Sequence, residues 1–125
     1  MSGAVFDSGA LIALERGDRA IAVLLGEARE ARDTITVPAG CVAQTWRDPR
    51  RQVRLASFLR LRTVAVVPLD DEDARRVGLR LAATGSTDVV DAHVALCGQR
   101  LGQVVVTSDP DDITRLAPSV RVHHV

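Results

Sequence analysis

Short β-branched runs alternate along this chain with longer stretches of helical period. Ala4-Val5-Phe6 is an apolar run that stops at Asp7, and Leu11, Ile12 and Leu14 follow at helical spacing as far as Gly17. Residues 20–32 predict a second helix, with Ile21, Leu24, Leu25 and Ala28 as its apolar stripe. Thr34 to Val37 reads as a strand closed by Pro38, and the next helix carries Val42, Ala43 and Trp46 until Pro49 ends it. Residues 50–61 are amphipathic, setting Val53, Leu55, Phe58 and Leu59 against Arg50, Arg51, Arg54 and Arg60.

The same rhythm fills the second half. Val64 to Val67 predicts a strand and residues 70–83 a helix, with Ala74, Val77, Leu81 and Ala82 turned inward. Ser86-Thr87 open a long helix that is apolar almost all round from Val89 to Leu96, the mark of a buried helix. Val104-Val105-Val106 has the character of a central strand, Pro110 to Leu116 of a short helix, and Val120 to Val122 of a last strand. Strands apolar on both faces and separated by helices predict a parallel sheet covered on both sides. With no linker, repeat or low-complexity tract, one α/β domain is expected over residues 1–125.

Composition narrows the chemistry. The 125 residues are 46% apolar and 26% charged, enough for a core without disulfides. All sixteen basic residues are arginine. Schiff-base catalysis, P-loop phosphate binding and phospho-receiver chemistry, each of which needs a lysine, are therefore excluded. Sixteen acids balance the arginines, so net charge indicates neither a nucleic-acid nor a membrane partner. Aromatics make up only 2%, against the base-stacking sheets of common RNA-binding modules. Cys41 and Cys97 lie in apolar runs without ligand spacing and read as buried thiols in a reducing compartment. No apolar run approaches the roughly 18 residues of a membrane span and no basic leader precedes the first strand, so a cytoplasmic protein is expected.

The acidic residues sit where chemistry is expected. Ligands of open parallel sheets bind beyond the carboxyl ends of the strands, and Asp7 and Asp109 end the first and fourth strands. Both also suit helix N-caps, Asp109 with Pro110 at the first helical position. Asp88 likewise suits a helix start. Asp91 lies three residues further on the same face of a nearly apolar helix, where a carboxylate is costly unless paired or bound to a cation. Carboxylates gathered on one edge call for a counter-charge, and hard divalent cations such as Mg²⁺ or Mn²⁺ suit all-oxygen donors. There is no GxGxxG or Walker loop, and Asp7-Ser8-Gly9 lacks the second aspartate of a dehalogenase-like phosphatase.

Three blocks in order, Val5-Phe6-Asp7-Ser8-Gly9-Ala10-Leu11-Ile12, Thr87-Asp88-Val89-Val90-Asp91-Ala92-His93 and Val106-Thr107-Ser108-Asp109-Pro110-Asp111-Asp112-Ile113, resemble the acidic blocks of PIN-domain proteins, among which VapC-type ribonuclease toxins are small members. The resemblance spans essentially the whole chain. It implies a three-layer α/β/α domain around a mostly parallel sheet of four to five strands. It further implies a Mg²⁺- or Mn²⁺-dependent endoribonuclease, the toxin of a type II toxin–antitoxin pair, with RNA as substrate and a small VapB-like antitoxin as partner. A homodimer is common in such proteins. Catalytic and metal-binding roles fall on Asp7, Asp91 and Asp109, with Asp88, Asp112 and Gln44 as further candidates. Two positions depart from the pattern: Gln44 stands where a glutamate is usual, and Gly9 replaces a common hydroxyl residue. The alternative is a PIN-like module that has lost catalysis and binds RNA or protein.

Outside the blocks, residues 47–62 hold six arginines against one acid, Asp48. Arg47, Arg50, Arg51 and Arg54 are expected on an RNA-phosphate rim. The apolar helices around Leu11 to Leu25 and Val53 to Leu61 are candidates for an antitoxin groove. His93 reads as a satisfied or surface histidine and His123-His124 as a frayed tail. Asp70 to Asp73 reads as a charge–dipole feature of a helix start.

Overall fold

The computed structural model describes residues 3–125, and Met1 and Ser2 lie outside it. Five strands, β1 (Ala4–Phe6), β2 (Ile35–Pro38), β3 (Val64–Val67), β4 (Val104–Thr107) and β5 (Val122–His124), form one parallel sheet in the order β3-β2-β1-β4-β5. Seven helices connect them: α1 (Ser8–Glu15), α2 (Arg19–Ala31), α3 (Ala39–Thr45), α4 (Val53–Leu59), α5 (Asp71–Thr84), α6 (Val89–Leu101) and α7 (Pro110–Leu116). The chain steps from β1 to β2 to β3 in one direction, then crosses back to place β4 on the other side of β1. Right-handed crossovers therefore put α1, α2 and α4 on one face and α5, α6 and α7 on the other. The expected three-layer parallel domain is what forms.

Burial explains the order of the layers. Val5, Phe6, Val37, Val105 and Val106 are almost wholly buried in the three middle strands, and Leu11, Leu14, Ile21, Leu55 and Phe58 cover them from one face. Phe6 stacks on Phe58 with ring centroids 5.6 Å apart. On the other face α6 buries every residue from Ala92 to Gly98. Gly98 makes that approach possible, since a Cβ there would lie 2.7 Å from a methyl of Val105.

Several boundaries differ from the sequence reading. The last strand is Val122–His124, not 120–122, because His123 and His124 pair with Val106 and Thr107 of β4. The histidine pair is strand, not frayed tail. Residues 49–51 form a turn rather than the first turn of a helix, and α3 ends before Trp46, well short of Pro49. β3 is an edge strand with Ala65 and Val66 exposed, so its apolar run reflects edge position and not two-sided cover.

Candidate metal and nuclease site

The strand order reverses between β1 and β4, which opens a crevice at their carboxyl ends. Asp7 follows β1 directly and is 5% exposed. Its Oδ1 accepts the Ala10 N–H at 2.9 Å, capping α1. Burial raises its pKa and the nearby Asp109 carboxylate adds to the rise, while the Thr107 hydroxyl and the Ala10 N–H oppose it. The capping role read from the sequence is real, and it holds Asp7 at the mouth of the crevice.

Asp109 behaves otherwise. Although it occupies the N-cap position of α7 with Pro110 behind it, its side chain makes no capping bond. Its amide instead donates to Thr107 Oγ1 at 2.9 Å, and its exposed carboxylate is left for solvent or a ligand. Thr107, fully buried, thus touches both acids: its hydroxyl bonds to the Asp7 carboxylate and accepts the Asp109 N–H. Sequence reasoning gave Thr107 no role. The signal was a hydroxyl at the last position of a buried strand, two residues before an acid.

α6 delivers the third group. Asp88 caps the helix by accepting the Asp91 N–H at 2.9 Å, which fixes the first turn and leaves Asp91 half-buried on it. Its carboxyl is pushed up to about 7, chiefly by burial and then by the carboxylates of Asp88, Asp7 and Asp112. Asp7 thus senses Asp109, and Asp91 senses Asp88, Asp7 and Asp112. None of these five aspartates forms an ion pair with an arginine among the described residues.

Cluster and cage are different things here. Among the described residues no three His, Cys, Asp or Glu side chains stand in closed metal-ligating geometry. Like charges without a counter-ion keep apart, and Asp91 relieves the field by holding its proton. The donor set nevertheless fits a hard divalent cation: all oxygen, anionic and without a guanidinium to compensate it. Asp7, Asp91 and Asp109 supply oxygens of that kind at this edge, with the carboxylates of Asp88 and Asp112 close to Asp91.

Gln44 is an exposed residue of α3, and its Oε1 accepts a short hydrogen bond from the Ser8 hydroxyl at the start of α1. The amide is therefore tethered beside Asp7 with its acceptor engaged. At Gly9 a Cβ would fall 2.0 Å from Ser108 Oγ, so glycine is required and Ser108 brings a hydroxyl to that place from the other side of the crevice. Ser108 Oγ lies 3.5 Å from Asp109 Oδ2. Cys41 sits beneath, near Ser8, Asp7 and Asp91. Burial pushes its thiol up to about 12, which removes it as a nucleophile.

The arginine run divides. Arg47 folds back to donate to the carbonyls of Ala43 (3.0 Å) and Trp46 (2.7 Å), closing the end of α3. Arg54 reaches the Glu15 carbonyl at 3.3 Å and packs over Gly17, away from Arg50 and Arg51. Arg50 and Arg51 project into solvent, with side chains 92% and 89% exposed and only long contacts to Asp48. His93 is neither surface nor satisfied: it is buried and its Nε2 has no hydrogen-bond partner. Asp73 is more than a dipole feature, since it is buried in a bidentate pair with Arg100 of α6.

A parallel sheet with helices on both faces and an acidic cluster at its strand-order reversal defines the class of protein. The PIN domain family profile matches residues 4–117, and the chain belongs to that family. A chain in the crystal structure of VapBC2 from Rickettsia felis bound to a DNA fragment from their promoter is similar in fold, with a TM-score of 0.66. The two are 12% identical over 98% of each chain. No curated protein sequence matches. No helix among the described residues is long and apolar enough to cross a membrane.

Proposed function

We propose that the protein is a divalent-metal-dependent endoribonuclease acting as the toxin of a type II toxin–antitoxin pair. One observation carries the reading. Asp7 lies within the field of Asp109, Asp91 lies within the fields of Asp88, Asp7 and Asp112, no arginine pairs with any of them among the described residues, and Asp91, chiefly through burial and then through those carboxylates, is pushed up to about 7. A site that stores unbalanced negative charge is costly to the fold and suits a cation it must receive. Mg²⁺ or Mn²⁺ bound there would supply Lewis acidity towards a phosphodiester and its attacking water. The chain's own contribution is positional. Thr107 sets the spacing of Asp7 and Asp109, the α6 cap aims Asp91, and Asp91 gives up its proton when the site is filled.

The partner half of the proposal rests on a second surface. Leu14, Ile21, Leu25, Phe58 and Leu61 line a mainly apolar groove of about 370 Å³ between α1, α2 and α4, where Arg29 and Arg54 outnumber the one acid, Asp18. An antitoxin tail with apolar anchors and acidic flanks fits that chemistry, and a chain of the VapBC2 crystal structure shares the fold.

The purified protein is expected to cut single-stranded RNA with Mg²⁺ or Mn²⁺ and to stop when EDTA is added. Metal-independent cleavage would refute the reading, and RNA binding without cleavage would favour the degenerate binding module. Gln44→Glu tests the missing acid separately. Adding a carboxylate beside Asp7 should tighten Mn²⁺ binding, measured calorimetrically, by about tenfold. An unchanged affinity would place Gln44 outside the site.

A further inference from the structure

We infer that Trp46, with Arg50 and Arg51 beside it, forms a stacking platform that holds an unpaired nucleobase of single-stranded RNA next to the acidic crevice. The inference takes its ligand class from the nuclease reading, and its evidence lies in a separate loop.

Trp46 is the only tryptophan of the chain and is 37% exposed at the C-terminal end of α3. It stands two residues beyond Gln44, which bonds to Ser8 and so places this end of α3 beside Asp7. The following loop is built with unusual care for a surface turn. Gln52 Oε1 accepts the N–H groups of Arg47 (2.8 Å) and Asp48 (2.9 Å), and its Nε2 donates to the Thr45 carbonyl at 2.7 Å. The N–H groups of Arg51 and Gln52 bond to the Asp48 carbonyl, the Arg50 N–H bonds to the Asp48 carboxylate, and the Arg47 guanidinium holds the carbonyls of Ala43 and Trp46.

With these polar groups satisfied within the loop, what it presents is an indole and two guanidinium groups. Arg50 and Arg51 touch only the shared Asp48 carboxylate, at 3.6 and 3.8 Å, distances at which water screens the pair. One anion against two cations leaves a net positive rim. A part-exposed indole and two solvent-exposed guanidinium groups on one loop, ordered in advance by its own hydrogen bonds, match a strand with exposed bases and phosphates. Duplex RNA keeps its bases in its own stack and offers the indole no free face.

Because the chain has a single tryptophan, its emission reports on this position alone. Metal-free protein in EDTA, which cannot cut by the proposed route, is titrated with a single-stranded RNA of about eight nucleotides. Saturable quenching is expected. Trp46→Ala should weaken binding, followed by anisotropy, by about tenfold, and Trp46→Phe by much less. An RNA carrying an abasic site at the stacked position should abolish the quench, with Trp46→Ala costing nothing further on that RNA. Replacing Arg50 and Arg51 together by Ala should lower the log–log salt slope by about 1–2. Equal quenching by duplex RNA, or unchanged affinity for both the Trp46→Ala protein and the abasic strand, would overturn the platform. Quenching by a polyglutamate peptide but not by RNA would overturn it in favour of a protein partner. Should Trp46→Ala fail to fold, the Phe variant and the abasic strand decide the question. RNA that binds and quenches but is never cut with Mn²⁺ sinks the nuclease reading and supports the platform. Cleavage indifferent to both Trp46→Ala and the abasic site sinks the platform and leaves the nuclease.

Discussion

Asp91→Asn is expected to abolish metal-dependent RNA cleavage and, in the metal-free protein near pH 7.5, to raise Tm by a few degrees. The two effects share one cause. The Asp91 carboxyl is pushed up to about 7 by burial and by the carboxylates of Asp88, Asp7 and Asp112, against 3.8 for an unperturbed aspartate. Between about pH 4 and pH 7 the folded chain therefore binds more protons than the unfolded chain at this position. Stability contributed by the group is largest at the acidic end of that window and is lost as pH rises through it. An amide carries no charge at any pH, so the variant should lose that slope. A divalent cation reverses the balance: it must displace the Asp91 proton, and its affinity should climb with pH through about 7. Calorimetric metal binding and thermal melts across pH 4–8 check each part. An Asp91→Asn protein that still cuts RNA, or whose melting curve keeps the wild-type pH slope, would remove Asp91 from the site.

Arg100→Ala should destabilise the fold while leaving the acidic cluster untouched. Arg100 of α6 grips Asp73 of α5, with one bond of 3.0 Å and a second, shorter one, and its side chain is 41% exposed while that of Asp73 is 8% exposed. Removing the guanidinium leaves a buried carboxylate with only Arg76 at 3.5 Å, beside a histidine whose Nε2 already lacks a partner. Breaking a fully buried pair costs 3–5 kcal/mol; the half-exposed arginine reduces this to about 2 kcal/mol, or a Tm lower by about 8 °C. Arg100 holds the Asp73 carboxyl below its usual range. That stabilisation is complete above the unfolded pKa and disappears as pH falls through the folded value. The gap between variant and wild type should accordingly close below about pH 4. Equal melting temperatures at pH 7 would show that the pair contributes nothing.

The sheet and its layers were legible because burial writes itself into period: Val5-Phe6, Val37 and Val105-Val106 are apolar on both faces, and α6 is apolar all round. Edges were less legible. Val64 to Val67 has the same composition as a central strand yet lies at the rim, and His123-His124 pairs with β4 although nothing in its residue types favours a strand. Strand order is a tertiary choice that local pattern does not encode. The acids could be located from their positions after strands and on α6. Their individual behaviour could not, since Asp7 and Asp109 both look like N-caps and only Asp7 acts as one. The arginine run misled for a similar reason: proximity in sequence grouped four side chains that backbone carbonyls at Ala43 and Glu15 pull apart. Asp73 and His93 looked ordinary because burial at the α5–α6 interface comes from packing partners that are distant in sequence.

The pairing of β1 with β4, Ala4 opposite Val104, joins segments separated by about one hundred residues. Such a contact closes a long loop and belongs to the late, slow part of folding. Asp7 precedes Asp109 by about one hundred residues and has no such neighbour to face until those residues have been made. The two acids become neighbours only through this closure, so a chain that lacks β4 carries Asp7 without the carboxylate that, after burial, raises its pKa.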